Sequence, residues 1–167
     1  MSDTVYHGNT VNRNRSITHS GDEREGDEVG DDEVINLNFP QIPSTVLAIY
    51  VVLTVATQGI KLSYVRSAIA RVRDVRKGRA ICSFRPSSHA LSEDATAMFL
   101  LRIARDSNDP ALWKVSPIED THAVARDFGS LIPHLKSYTQ DLLPSIHVDP
   151  TERVAIMRKG GNVRLRD

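Results

Sequence analysis

Eight basic side chains crowd into twenty-five residues: Lys61, Arg66, Arg71, Arg73, Arg76, Lys77, Arg79 and Arg85, against a single acid, Asp74. Phosphate recognition asks for such a set. It needs several donors along one surface, and arginine supplies planar forks that meet two oxygens at once. Tyr64 and Phe84 fall in the same stretch and would offer faces for base stacking unless a core takes them up. Arg158 and Lys159 open a second basic zone, continued by Arg164 and Arg166. The competing reading is a solvated face that holds no ligand. On the binding reading the contacts go to a nucleic-acid backbone, RNA above all, because no base-reading module is legible.

No other constellation defines a reaction. Cys82 has Arg79 and Arg85 near it in sequence, and cationic neighbours favour a thiolate. A nucleophile also needs a base and an oxyanion site, and neither is visible, so a buried thiol between Ile81 and Phe84 is the plainer reading. One cysteine excludes an intrachain disulfide and a cysteine-based zinc site. The histidines (His7, His19, His89, His122, His134, His147) lack metal-ligand spacing. His89 with Glu93, and Glu119 with His122, have helical spacing and read as surface pairs. Asp120 and Asp127 would share a helix face as solvated charges. There is no phosphate-cradling glycine loop, HExxH pattern or serine elbow. No metal, cofactor or catalytic residue is therefore nominated, and the chain is expected not to be an enzyme.

The elements that would position the basic cluster follow from apolar spacing. Leu62, Val65, Ile69 and Val72 recur at three and four residues, predicting an amphipathic helix over 62–77 that projects Arg66, Arg73 and Lys77 together, with Gly78 as its cap. Residues 46–56 are almost wholly apolar. Their length favours a core helix, although their β-branched content also suits a buried strand. Residues 79–86 read as a short extended piece ended by Pro86. A helix is expected over 90–105, then a short helical turn from Pro110 carrying Leu112 and Trp113. Ser116-Pro117-Ile118-Glu119 and Asp149-Pro150-Thr151-Glu152 both have the grammar of a helix start: an oxygen-bearing cap, proline where its missing N–H is harmless, and an acid in the first turn. They predict helices over 117–128 and 150–159. Leu131, Leu135, Tyr138 and Leu142 predict one more, with Pro133 near its start.

The expected fold is mainly α: a compact multi-helix bundle over 34–159, preceded by a disordered acidic arm over 1–33 and followed by a basic tail over 160–167. The arm carries nine acids and three bases, whereas the rest carries eighteen bases and twelve acids, so the net zero hides two opposed halves. Few apolar groups in the arm leave little to offset chain ordering. Asn14-Arg15-Ser16 matches a glycosylation acceptor, a weak signal. The start of the chain lacks the apolar core of a signal peptide, and Ser2 excludes myristoylation.

This layout suits a non-enzymatic structural protein that binds nucleic acid and packs against copies of itself, concretely a viral coat or nucleoprotein subunit, in the cytoplasm or the virion. On that reading the acidic arm would screen the basic body. Two alternatives compete. Residues 44–60 are uncharged and would span a membrane, with the basic flank inside. Or the chain is a small helical adaptor whose acidic arm docks a basic protein.

Overall fold

The computed structural model describes residues 4–21, 31–55, 57, 59–65, 68–85, 95–122 and 128–152. It overturns the helical bundle. Seven strands, one eight-residue α-helix and three short 3-10 turns form the regular structure of the described residues. Backbone contacts divide the chain into two units, one built on residues up to Val46 and the other on Leu47–Val154.

In the first unit β1 (Ile17–His19) pairs antiparallel with β2 (Ile35–Leu37). β1 therefore lies within the stretch expected to be a disordered arm. A tight polar turn precedes β1. Arg15 takes a left-handed conformation there, φ 60°. Asn12 and Ser16 are buried and satisfy one another, Asn12 Nδ2 donating to Ser16 Oγ at 3.0 Å while Asn12 Oδ1 accepts from the Ile17 N–H at 2.9 Å. Asn14, the candidate glycosylation acceptor, already donates its amide to the Gln41 carbonyl at 2.8 Å. At the other end the Val34 N–H donates to Ser20 Oγ, and Ser20 N–H to the Val34 carbonyl, both at 2.9 Å. His19 Nδ1 accepts from the Gly21 N–H, and its Nε2 lies 3.5 Å from Glu33. The β1–β2 connection carries the acidic run, and its residues 22–30 lie outside the described residues.

The second unit is organised by a three-stranded antiparallel sheet in the order β3 (Ala48–Thr54), β6 (Ala97–Arg105), β7 (Trp113–His122). β3 occupies the apolar run predicted as a helix. Every one of its residues is half-buried, so both faces are covered and the polar alternation that would have betrayed a strand is missing. β6 is the centre, with Ala97, Met98 and Phe99 fully buried. Five consecutive apolar residues on a strand need apolar cover on both sides, and β6 receives it. Met98, Leu100 and Leu101 pack with Leu62, Val51, Val72 and Phe84 on one face. Ala97 and Phe99 pack with Val52, Ile118, Leu131 and Leu135 on the other.

A second antiparallel pair, β4 (Ala70–Asp74) and β5 (Arg79–Phe84), covers the first of these faces. This hairpin replaces the predicted basic helix. Its alternation was present in the sequence: Ala70 and Val72 point inward, Arg71 and Arg73 outward. A helical spacing of three and four was also present, and pairing with β5 decided between them, since a strand needs a partner distant in sequence and a helix does not. Gly78 caps no helix; it sits at φ 62° in the hairpin turn, where the Lys77 N–H donates to Asp74 Oδ1 at 3.1 Å. The opposite face carries α1 (Ile132–Thr139), with proline in its first turn.

The remaining helix predictions resolve as follows. Residues 97–105 of the helix expected over 90–105 are β6, while 90–94 lie outside the described residues. Pro110 and Ala111 form a turn, and Trp113 already begins β7. Ser116-Pro117-Ile118-Glu119 lies within β7, where Pro117 is tolerated because β7 is an edge strand of this sheet and the ladder is irregular beside it. Asp149 does bond locally, its Oδ1 accepting from the Thr151 N–H and hydroxyl at 2.8 and 2.7 Å. The rest of the helix expected over 150–159 falls outside the described residues from 153. No helix among the described residues is long and apolar enough to cross a membrane, and the segment proposed to span, 44–60, contains β3.

Candidate functional site

Two irregularities in the sheet aim its polar groups. Between β3 and β6, Val51 pairs with Leu101 but Val52 pairs with Phe99, so Leu100 is an extra residue. Beyond it, Arg102 comes to the same face as Phe99, opposite Tyr50. Between β6 and β7, Leu101 pairs with Pro117 and Phe99 with Asp120, which leaves two β7 residues facing one on β6. Glu119 absorbs this mismatch in a left-handed conformation, φ 54°. The result is that Ile118, Asp120 and His122, alternate residues of one strand, line the face covered by α1.

There they meet His134 and Tyr138, spaced four apart and hence on one side of α1. The His122 and His134 rings stack with centroids 3.7 Å apart and planes inclined at 34°. Both rest against Phe99, at 5.5 and 6.5 Å, and Tyr138 meets the same ring edge-on at 5.0 Å. The Tyr138 hydroxyl donates to the Asp120 carboxylate and lies 3.3 Å from His122 Nε2, which is itself 3.6 Å from Asp120. At the far end of the helix Tyr50 and Thr139 share a hydroxyl hydrogen bond of 2.7 Å, and Arg102 reaches Asp141 at 2.8 Å.

The electrostatics follow from this packing. Burial, reinforced by the neighbouring His134, lowers the pKa of His122, while Asp120 acts in the opposite sense. Tyr138 is raised far above the ordinary phenol range, first by burial and then by its bond to the Asp120 carboxylate, with Tyr50 adding to the shift. Burial also raises Tyr50, against the opposing effects of Thr139 and Arg102. The cluster thus holds two protonated phenols and an uncharged imidazole at neutral pH. That is a hydrogen-bonded anchor for a helix. No three metal-binding side chains converge among the described residues.

The residues singled out in the sequence lie elsewhere. Arg71 and Arg73 are exposed on the outer face of the β4–β5 hairpin, Arg76 and Lys77 in its turn, Arg79 at the start of β5, and Arg85 just past its end. They follow a strand and a turn, not one helical face. Arg66, Arg158 and Lys159 lie outside the described residues, as do His89, Glu93 and Asp127. Tyr64 is exposed, while Phe84 packs into the core. Cys82 is half-buried on β5 opposite Val72. A helix over 117–128 would leave Asp120 a solvated charge and His122 in a surface pair with Glu119; the strand instead brings Asp120 and His122 to α1. The signal that could have found them is the two-residue period Ile118, Asp120, His122.

The family model of the TerD domain matches residues 1–131. The chain belongs to the TerD family. The tellurium resistance protein TerD of Serratia marcescens is 29% identical over 126 residues, 73% of this chain, and the match covers 62% of that relative. The chain thus spans less than two thirds of the relative's length. TerD membership and the β fold overturn the coat or nucleoprotein expectation, with its RNA-binding helix. The membrane-spanning and helical-adaptor readings fall with the same fold. The TerD match ends at residue 131, immediately before α1, so the anchor joins matched strands to a helix beyond the matched span.

Proposed function

We propose that this chain acts in resistance to tellurium as a non-catalytic β-sheet module. The TerD match across 1–131 carries the reading, and the name of the Serratia marcescens relative supplies its direction. The aromatic anchor supports a non-catalytic role, because the Tyr138 hydroxyl is committed to Asp120 and held protonated while His122 is held neutral.

The test is growth on graded tellurite. A bacterium whose own TerD-family gene has been deleted receives this chain, a core-disrupted variant such as Phe99→Ala, or an empty vector. The proposal expects the chain to raise the inhibitory tellurite concentration and the variant to fall back towards the vector. Equal inhibition in all three strains, with the chain demonstrably expressed, sinks it.

A further inference from the structure

We infer that the stacked His122–His134 pair is an acid-sensitive latch that holds α1 on the sheet at neutral pH and releases it in mild acid. Geometry carries the argument. The two imidazoles stack at 3.7 Å on one buried phenyl ring, one from the last position of β7 and the other from α1. Neutral rings at this separation attract by dispersion and exclude water. A positive charge on His122 is poorly solvated there and disfavoured beside His134, so protonation of His122 favours moving the helix away.

Among the described residues the charged and titratable neighbours are these. On β7, Asp120 lies 3.6 Å from His122 Nε2, but its carboxylate also accepts the Tyr138 hydroxyl, so it cannot serve as a full counterion to two cations. On α1, Tyr138 is a neutral phenol at any pH considered. From β3, Tyr50 approaches Tyr138 at 6.3 Å and is likewise a neutral phenol, bonded to Thr139. Arg102 and Asp141 neutralise each other at the far end of the helix, and Lys136 pairs with Glu152. None of these described groups supplies a second negative charge to the imidazoles.

The direction of the pH effect is fixed. His122 binds its proton more weakly in the folded chain than the ordinary value of 6.5. An opened helix therefore takes up protons that the docked helix refuses. Docking is fully favourable above that value and weakens as pH falls through and below it. One linked proton changes the opening equilibrium by up to about tenfold per pH unit. The apolar contacts on the opposite face of the sheet contain no such group.

Hydrogen exchange on the full chain tests this. Protection factors, corrected for intrinsic rates, are compared at pH 7.5 and pH 5 for the α1 amides 136–139 and the β6 amides 97–101. The latch expects roughly a tenfold loss at α1 in acid with β6 unchanged. It also expects His134→Phe, which keeps an aromatic ring against His122 but cannot take up a proton, to diminish that loss while the part due to burial of His122 remains. His134→Gln serves the same purpose if the larger ring is not accommodated. Unchanged α1 protection in the wild type overturns the inference. So does an equal loss at β6, which would be global acid unfolding, or an undiminished loss in both variants.

Discussion

The two faces of the β3–β6–β7 sheet are closed by different chemistry. On one face the β4–β5 hairpin seals Met98, Leu100 and Leu101 with Val72, Phe84 and Leu62, all apolar. On the other, α1 closes over Phe99 with aromatic rings, a tyrosine–aspartate bond and two imidazoles. The first closure depends on area removed from water, and its named contacts carry no titratable group. The second adds directional and titratable contacts to a smaller apolar core. One sheet can therefore carry a fixed cover and a conditional one, and strand irregularities decide which side chains serve each.

The comparison breaks most visibly at Phe99. Phe99→Ala should cost about 3–5 kcal/mol in denaturant unfolding, because the fully buried ring supports Tyr50, His122, His134 and Tyr138 together. Met98→Ala, its neighbour on the hairpin face, should cost about 2–5 kcal/mol. That loss should be the same at pH 7.5 and pH 5, and a pH-dependent loss would show that the faces are not separable. Glu119→Val should cost about 1–2 kcal/mol, since a β-branched residue resists the left-handed conformation that aims Asp120 and His122. An unchanged unfolding midpoint would mean that the irregularity is not set there. Tyr138→Phe should cost about 1 kcal/mol, a discounted value for a charge-assisted bond whose acceptor is half exposed. Smallest of all, Arg73→Gln on the outer face of the hairpin should change stability by no more than about 0.5 kcal/mol. A larger loss would give the basic cluster a structural role that its exposure does not suggest.

The fold was only partly legible beforehand, and for identifiable reasons. Apolar spacing marks buried segments at 46–56, within 90–105 and from 131 onwards, yet the first two contain strands where helices are expected. β3 and β6 are covered on both faces, which erases the alternation that marks a strand. At 62–77 both periods were present. At Ser116-Pro117 the grammar of a helix start was satisfied by an edge strand with an irregular ladder. α1 was the exception, since its apolar spacing and early proline specify a local structure that needs no distant partner. Of the candidate site only the two-residue period of Ile118, Asp120 and His122 is legible, because Tyr50, Phe99 and Tyr138 share no spacing with them in the chain.

What the amino-acid order determined alone was local: the acidic excess of 1–33 against the basic remainder, the positions of the apolar runs and the local side-chain bonding of Asp149. These depend on composition or on groups within a few residues of one another. Only the tertiary structure decided that the apolar runs are strands, that Leu100 and Glu119 are absorbed as irregularities, and that two distant histidines stack. Strand pairing and ring stacking are contacts between segments far apart in sequence. Their free energy exists only once the chain has brought both partners together.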